Sequence, residues 1–482
     1  MHGYVTKPDR KQLFYDMVDV DRLVPEDHEV RRLWAFLDQL DMTVVYRSYK
    51  AIEEEFGRMP IEPKVLFAVW LYGFMKGIGS SEVLEELCRV HNEFRWICGG
   101  LKPCARTLRN FRNAQRGMLD GLLTDSIAAL IRAGLVSVAT MSQDGTTIRS
   151  ASSKRSFRKA DEVEEAYEQA KERVRVLNEM SDDEAREHEQ RQQAAMKREA
   201  EKKMRLAQEA LEKLRERRKG TEEGQDYEGK VSITEPDSKF MPCKEGVSAP
   251  AYNIQIVSSE DRSPAVLGVG VFEKASDTYT LEEMMKGVRE KLDGIAELGN
   301  VLTDKGYYSG SNARAMNSAG VRWLCHVPDN QKNEFGDGSM SGYEKFCFRY
   351  DAARDVYVCP EGKELKREGC EKKRHAMVTR YRCGECADCA ARGKCTNSKR
   401  GRTIQRSEYE EDLRELVRRS LSDEGKALLK MRGRMSEKVN ADIKERFKLR
   451  RFTVKGKAAV LGVMTMMSIV INALIWMKGT SP

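Results

Sequence analysis

The first quarter of the chain has its hydrophobic residues at helical spacing. Between residues 20 and 134, amphipathic runs such as EDHEVRRLWAFLDQL and EPKVLFAVWLYGFMKG are separated by Gly and Pro residues, which end helices. Ser80 or Ser81 is predicted to cap the helix SSEVLEELCRV, and the basic segment ARTLRNFRNAQRG follows. Two short helices with a basic second member are typical of a helix-turn-helix, although a plain helical bundle has the same pattern. We therefore predict an all-helical N-terminal unit.

Strand-like alternation replaces this pattern near residue 136. In LVSVATMSQDGTTIRS the alternation leads to Asp144, near the predicted end of a strand. Further strands are predicted in AYNIQIVSS, AVLGVGVFE, NVLTDKGYYSG and the short run VRWLCHV, with a helix in TYTLEEMMKGVREKL. Asp304 follows the apolar part of the third of these strands. Strands that alternate with a helix indicate an α/β unit, in which ligand sites favour the carboxyl ends of strands.

A charge-rich stretch separates the first predicted strand from the others. Residues 159–219 are dense in Glu, Lys, Arg, Ala and Gln, with almost no Gly or Pro, which predicts long helix. A turn is expected at residues 178–183, where Ser181 and Glu184 have capping-box spacing, and Gly220 is a suitable stop. We predict a helical hairpin here, serving either as a solvated spacer or as a contact with DNA or another subunit.

The C-terminal third combines a predicted loop-rich region with renewed helix. Residues 328–403 hold most of the clustered cysteines and look like an insertion, and helix is expected from about Glu408 onward. The apolar run at residues 458–477 is about long enough to cross a bilayer. Polar and small residues such as Ser468 and Asn472 interrupt it, so we predict a helix buried in a large core and no membrane association.

Chain length and net charge exclude few architectures and few classes of partner. A chain of 482 residues is too long for one ordinary core, which favours two to four structural units. The 84 Lys and Arg residues outnumber the 76 Asp and Glu residues, for a net charge of +8, which permits a polyanionic partner without requiring one. No apolar run follows the basic N-terminal residues, so a secretory signal is not expected and a cytoplasmic protein is.

Three acidic residues stand in contexts that suit metal-dependent cleavage of a phosphodiester. Two divalent metals can activate the nucleophile and stabilise the leaving oxyanion, and hard cations such as Mg²⁺ prefer carboxylate oxygens. Asp144 and Asp304 follow separate predicted strands, and Glu437 lies in a basic predicted helix. Lys444 is about two helical turns further on and is expected on the face of Glu437. The alternative interpretation is a capping or turn Asp at each strand end.

The same segments resemble the DDE transposases of bacterial insertion sequences, over nearly the whole chain. QDGTTIRSASSK is similar to that family's first catalytic strand, VLTDKGYYSGSN to its fourth core strand, and SEKVNADIKERFKLRRFTVKG to its glutamate helix. The resemblance implies a ribonuclease-H-like core in which Asp144, Asp304 and Glu437 are catalytic and bind Mg²⁺ or Mn²⁺, with Lys444 beside them. The chain has Asn440 and Ala441 where the family often has Phe-Gly, and the usual upstream Tyr and Arg are out of register. Glu445 is therefore the fallback for Glu437.

The clustered cysteines predict a zinc site. Cys383, Cys386, Cys389 and Cys395 lie within YRCGECADCAARGKC, and Cys359 precedes them in YVCPEG. Paired Cys-x-x-Cys spacings are typical of tetrahedral structural zinc, the alternative being free thiols in a loop. The resemblance favours a structural Zn²⁺ held by Cys359, Cys386, Cys389 and Cys395.

Basic clusters lie near each of these candidate features. SSKRSFRK follows Asp144, NSKRGRTIQR follows the cysteines and KERFKLRRF follows Glu437, placements that suit phosphate contacts. The predicted DNA-binding positions are 107 and 109 in the helical N-terminal unit, occupied by Thr107 and Arg109 beside Arg106, together with Lys154, Arg155, Lys444, Arg450 and Arg451. Each cluster by itself is also compatible with ordinary solvated surface.

These observations predict an α/β protein with a ribonuclease-H-like core, an all-α N-terminal domain and two insertions. The predicted units are a helical DNA-binding domain (1–135), the core (136–158 and 231–327), a helical hairpin (159–230), a Cys-rich insertion (328–405) and C-terminal helices with the catalytic Glu (406–482). The expected function is transposition by a homodimer on double-stranded DNA, at terminal inverted repeats and target, in the cytoplasm at the nucleoid. The alternatives are a nuclease without strand transfer and a non-catalytic DNA-binding protein.

Overall fold

The computed structural model describes most of the chain as a mixed α/β protein. The described residues are 17–47, 60–114, 117–179, 187–219, 229–243, 246–329, 331, 342–373 and 376–480. Helices dominate the N-terminal part, and two sheets with further helices make up the rest. The prediction of an α/β protein with a helical N-terminal region is confirmed.

Within the described residues, seven α-helices lie in the N-terminal region. They are α1 (Glu29–Leu37), α2 (Thr43–Arg47), α3 (Pro63–Met75), α4 (Ser81–Val90), α5 (Asn92–Cys98), α6 (Ala105–Ala114) and α7 (Leu119–Arg132). The hydroxyl oxygen of Ser80 accepts a hydrogen bond from Val83 N at 3.3 Å, which confirms the predicted cap of α4. Nearly every side chain of α3 is buried, because this helix is apolar on all sides.

The main sheet carries the two predicted catalytic aspartates. Its strands are β1 (Thr140–Arg149), β4 (Lys239–Pro242), β5 (Ser248–Ser259), β6 (Val266–Phe272), β7 (Asn300–Thr303) and β8 (Trp323–Cys325). β5 pairs antiparallel with β1 on one side and with β6 and β4 on the other, whereas β7 pairs parallel with β1 and β8 pairs parallel with β7. Helices α10 (Leu281–Leu292) and α11 (Gly310–Ser318) connect the later strands. The predicted strands and helix of this region are confirmed.

One detail of the sequence prediction is wrong. Asp144 lies within β1, not near its end, because the residues after it continue the antiparallel ladder with β5 as far as Arg149. Gly145 and the two threonines after it look like turn residues in the sequence, but their backbone groups are paired along β5.

The predicted helical hairpin is present as two long helices. A two-stranded ladder of β2 (Phe157–Arg158) and β3 (Val231–Ser232) flanks α8 (Ala160–Glu179) and α9 (Glu187–Lys219). Val163 of α8 packs with Ala210 and Leu214 of α9. The expected turn beyond residue 179, with its capping box at Ser181 and Glu184, and the stop at Gly220 lie outside the described residues.

The Cys-rich insertion is a sheet, which corrects the prediction of a loop-rich region. Five antiparallel strands pair in chain order, β9 (Arg349–Asp351), β10 (Val356–Val358), β11 (Glu364–Lys373), β12 (Ala376–Arg382) and β13 (Thr403–Ser407), with the short helix α12 (Arg392–Cys395) before the last. Charged residues occupy most positions of β11, and eight of its ten side chains are exposed. The alternation that reveals a strand is weak where both faces meet water.

Three helices close the chain and bring the N-terminal helices into the main core. They are α13 (Glu410–Leu421), α14 (Asp423–Ala441) and α15 (Lys457–Gly479). By length and composition α15 could cross a membrane, but 78% of its apolar window is buried inside the protein. It packs against α1, α3, α7 and β6, so the prediction of a buried helix is confirmed.

Asn472 shows why an apolar helix carries a polar residue at its centre. The side chain is fully buried, and its oxygen accepts Val266 N at 2.9 Å. Its amide nitrogen donates to Val266 O at 3.0 Å and to the hydroxyl of Ser126 at 2.9 Å. Asn472 therefore satisfies backbone groups at the edge of the main sheet that burial would otherwise leave unpaired.

Candidate active site

Asp144 on β1 and Asp304, which directly follows β7, are carried by two neighbouring parallel strands. Thr140 of β1 is opposite Asn300 of β7, and Ser142 is opposite Leu302. The same register carried two residues further places Asp144 level with Asp304, which directly follows β7. Both side chains are half-buried. Two aspartates that are 160 positions apart in the sequence are thus adjacent because of one parallel strand pair.

Each aspartate is also tied to the backbone beside it. Asp304 Oδ1 accepts the N–H of Gly306 at 2.8 Å and so caps the tight turn at residues 305–307. Asp144 Oδ1 accepts the N–H of Gly145 at 2.9 Å. Hydrogen bonds of this kind hold a carboxylate in one orientation.

Helix α14 covers the face of β1 that carries Asp144. Ser436 and Ser142 share a hydrogen bond between their hydroxyls at 2.8 Å. Asn440 Nδ2 donates to Asp144 Oδ2 at 3.3 Å, and Arg432 Nη1 lies 3.8 Å from Asp144 Oδ1. These three helical residues are spaced by four, so they form one stripe along the side of α14 that faces the strand.

Glu437 borders this stripe. It directly follows Ser436, and its side chain is exposed to solvent next to Gly433. The structure therefore puts Glu437 on the helix that covers Asp144, while Asn440 and Arg432 are the residues of this helix that contact the Asp144 carboxylate. The fallback, Glu445, is exposed and forms an ion pair with Arg450.

The predicted relation between Glu437 and Lys444 assumed an unbroken α-helix, and that assumption is wrong. Helix α14 ends at Ala441, and residues Asp442–Arg446 form a π-helical turn. A π turn holds more residues than an α turn, so positions on either side of it lose their α-helical alignment. Lys444 is half-buried within this turn, and two regular turns do not relate it to Glu437.

A third aspartate lies close to the pair and was not identified from the sequence. Asp277 follows β6 in the turn before α10, and its Oδ1 accepts Asn253 Nδ2 and Gln255 Nε2, each at 2.7 Å. Burial, followed by the negative charges of Asp277, Asp144 and Asp304, raises the pKa of Tyr307 well above its usual value. In the sequence, Asp277 in ASDTYT looks like an ordinary helix-start residue, and only the sheet reveals its neighbours.

These acids supply the oxygen donors that Mg²⁺ prefers. Within the described ranges, however, no three His, Cys, Asp or Glu side chains converge closely enough to hold a metal ion. Asp144 and Asp304 are neighbours, and a third donor must approach them for a complete site.

Five cysteines of the second sheet line one small cavity of about 20 Å³. They are Cys359, Cys383, Cys386, Cys389 and Cys395. Cys359 Sγ accepts a hydrogen bond from Lys363 N at 3.2 Å, and Cys386 Sγ accepts one from Arg402 N at 3.4 Å. Burial raises the pKa of Cys383 to about 11, with the neighbouring thiols of Cys386 and Cys359 adding to the rise. The sequence-predicted set of four is thus gathered in one place, with Cys383 as a fifth member.

The predicted DNA-binding residues have different surroundings. Arg109 forms an ion pair with Glu82. Position 107 is not basic, because it is occupied by a threonine. The Thr107 hydroxyl contacts Cys104 Sγ at 3.3 Å at the start of α6. Arg451 donates from Nε to Ser150 O at 3.1 Å and from Nη2 to the carbonyls of the next two residues. The prediction of a basic DNA contact at position 107 is therefore wrong. Arg451 binds the backbone beyond the end of β1.

Two other predicted contacts lie on the surface at the base of the hairpin. Lys154 and Arg155 are exposed in a short turn after β1. The Lys154 ammonium lies 5.3 Å from the centre of the Phe240 ring. Lys444 lies in the π turn that follows α14, and Arg450 lies four residues after that turn.

Comparison with known families finds matches for two segments of the chain. The family model described as the transposase DDE domain matches residues 358–474, and the transposase domain (DUF772) matches residues 18–114. The first match includes Glu437 and the cysteine cluster, whereas Asp144 and Asp304 lie outside it. A search of curated proteins found no significant match. Together the two domain matches indicate that the chain is an insertion-sequence DDE transposase.

Proposed function

We propose that the protein cuts the ends of its insertion sequence and joins them to target DNA, with Asp144 and Asp304 as metal ligands. The parallel pairing of β1 with β7 is the observation that carries the proposal, because its register extended by two residues brings Asp144 level with Asp304. The two transposase-domain matches support the general activity, a nucleotidyl transfer on DNA.

The strand order supports a ribonuclease-H-like core. β6, β5 and β1 form an antiparallel meander, and β7 and β8 extend it as parallel strands on the other side of β1. The first strand therefore lies at the centre, where a side chain on β1 can meet one that follows β7. Crossover connections through helices allow strands this far apart in the chain to pair in parallel.

Two Mg²⁺ or Mn²⁺ ions would bind between Asp144, Asp304 and Glu437, where they would activate a water or 3′ hydroxyl and stabilise the departing oxyanion. Asp144 and Asp304 are held by the strands, and Glu437 would complete the set from α14. Asn440 would keep Asp144 oriented through its 3.3 Å hydrogen bond. Lys444, Arg450 and the exposed pair Lys154 and Arg155 would contact phosphates of double-stranded DNA bound by a homodimer.

The second sheet would hold a structural Zn²⁺. Clustered cysteine sulfur donors suit zinc, and the backbone N–H groups that donate to Cys359 and Cys386 would hold these two sulfur atoms in place. A cytoplasmic location at the nucleoid follows from the proposed substrate.

Incubation of the purified protein with DNA that carries its terminal repeats, with and without Mg²⁺, tests the proposal. Asp144→Asn and Asp304→Asn should each reduce cleavage by about 10³-fold or more, as for other residues that act as one catalytic unit. Asp293→Asn, an exposed aspartate at the end of α10, is the matched control and should cleave normally. Unchanged cleavage by either active-site variant would rule the proposal out.

Two further comparisons separate the alternatives. Glu437→Gln should abolish cleavage and Glu445→Gln should not; the reverse result would assign the third ligand to Glu445. Cleaved ends that never become joined to a target plasmid would indicate a nuclease. DNA binding without any metal-dependent cleavage would indicate a non-catalytic protein.

A further inference from the structure

We propose that Asp277 is a positioning residue that holds Asp144 and Asp304 at the separation needed for metal binding. This inference rests on the proposed function and adds a residue to it. Asp277 acts through its neighbours, since two amide groups of the protein bind its Oδ1.

The first argument is the attachment of Asp277 to the strand beside β1. Its Oδ1 accepts hydrogen bonds at 2.7 Å from Asn253 and from Gln255. Both amides are buried on β5, where Gln255 is paired with Gly145 and Asn253 with Thr147. Buried amides are costly to leave without a partner, so this carboxylate and the sheet hold each other in place.

The second argument comes from the two glycines next to the predicted ligands. A Cβ atom built on Gly145 would lie 2.5 Å from Asp277 Oδ1, and one built on Gly306 would lie 3.8 Å from Asp277 Oδ2. Gly145 directly follows Asp144, and Gly306 donates its N–H to Asp304. The Asp277 carboxylate therefore fits between the backbone beside one ligand and the turn that holds the other, and Gly145 is needed for that close approach.

The third argument is that the turn of Asp277 and the turn of Asp304 are locked together. The Thr278 hydroxyl donates to Gly306 O at 2.9 Å. Asn312 Nδ2 donates to Thr278 O at 2.7 Å and to Tyr307 O at 2.8 Å. Movement of the segment that carries Asp277 would therefore move the backbone of the residues that follow Asp304.

Tyr307 completes the connection back to β5. Its hydroxyl donates to Gln255 Oε1 at 2.5 Å, and Gln255 Nε2 donates to Asp277. Gln143 also donates to Gln255 Oε1, at 2.8 Å. The result is a buried chain of hydrogen bonds from β1 through β5 to the turn after β7. Such outer partners typically change metal affinity when they are removed, even though they do not touch the metal.

Magnesium titration of the full-length protein by calorimetry, without DNA, is the primary test. Asp277→Ala should weaken Mg²⁺ binding by about 10- to 100-fold, the usual effect of losing an outer partner of metal ligands. Asp277→Asn should bind within about threefold of wild type, because its carbonyl oxygen can still accept both amides. The Mg²⁺ concentration for half-maximal cleavage should rise in parallel for Asp277→Ala. Asp293→Ala is the matched control and should change neither measurement.

Equal Mg²⁺ affinity for a folded Asp277→Ala variant and wild type would overturn the inference. If Asp277→Ala does not fold, Thr278→Val decides the question, since it removes only the hydroxyl that holds Gly306 O. Thr278→Val should weaken Mg²⁺ binding, and an unchanged affinity would contradict the proposal. Failure of the proposed function gives a different result: wild type would bind Mg²⁺ no better than Asp144→Asn and would not cleave its DNA.

Discussion

The two sheets of this protein position their candidate metal ligands in different ways. In the main sheet, Asp144 lies within a strand and Asp304 directly follows one, so the parallel pairing of β1 with β7 sets their separation. In the second sheet, the five clustered cysteines lie in the connections: Cys359 follows β10, and the other four lie between β12 and β13. Paired strands position the candidate aspartates, whereas turns between strands position the clustered cysteines.

The difference in surrounding core reinforces this contrast. The main sheet shares a hydrophobic core with the N-terminal helices and with α15. The second sheet has a small core of its own, with Phe348, Tyr357, Leu365, Tyr381 and Ile404 as its main members. Small cores commonly depend on a metal or disulfide for stability. We therefore predict that the main sheet is ordered without metal and that the second sheet requires the proposed Zn²⁺.

The largest expected effect is the removal of zinc. Chelation should abolish amide-hydrogen protection of β11 and β12, because zinc binding contributes about 10 kcal/mol or more to the folding of small zinc domains. Protection of β1 and β5 should remain. Hydrogen exchange measured by mass spectrometry, with Cys386→Ser as a genetic equivalent of the chelator, checks this. If chelation removed the amide-hydrogen protection of both sheets, or of neither, the two sheets would not differ in their dependence on metal.

A thiol of the main sheet provides the next test. Burial is the chief reason that the pKa of Cys325 is raised to about 12 from the usual 9. Its thiol therefore stays protonated at neutral pH, and the thiolate fraction at pH 8 is about 10³-fold below that of an ordinary cysteine. With chelator present, iodoacetamide should label the five cysteines of the second sheet and spare Cys325. The labelling rate of Cys325 should rise about tenfold per pH unit up to pH 12. Peptide mass spectrometry would detect early labelling, which would contradict burial in an intact main sheet.

Glu235 should be the most sensitive single side chain of the main sheet outside the acid site. This buried carboxylate accepts Ser152 N at 2.9 Å, Tyr252 OH at 2.9 Å and Gly456 N at 3.1 Å. Glu235→Ala should lower the free energy of unfolding by about 3 kcal/mol or more, since three buried donors lose their acceptor. Urea denaturation measures this. Exposed Glu297→Ala is the control, and an equal effect of both variants would argue against a structural role for Glu235.

The smallest effect is expected far from both sheets. Arg109 forms an exposed ion pair with Glu82 between α6 and α4. Arg109→Gln should change the free energy of unfolding by about 0.5 kcal/mol or less, as is usual for surface pairs. Its affinity for terminal-repeat DNA should fall and become less dependent on salt concentration. Unchanged DNA binding would remove Arg109 from the predicted interface.

Local pattern in the sequence predicted the helices and most strands correctly. The 3.6-residue spacing of α1 to α7 and the apolar runs of β5, β6 and β7 depend on side chains close together in the chain. Asp304 was placed correctly at a strand end for the same reason. The second sheet was missed because the charges on β11 hide its alternation, and backbone pairing between distant strands leaves no local signal when both faces are exposed.

The sequence by itself determined which groups are available: two aspartates next to apolar strands, a basic glutamate helix, clustered thiols and one long apolar helix. Only the tertiary structure decided that Asp144 lies within its strand, that Asn440 and Arg432 contact it, and that Asp277 joins the pair from another turn. The physical reason is that such contacts follow from strand register and helix phase. A single π turn changes the phase of a helix, and one further paired residue extends a strand, but neither alters the pattern of residue types in the sequence.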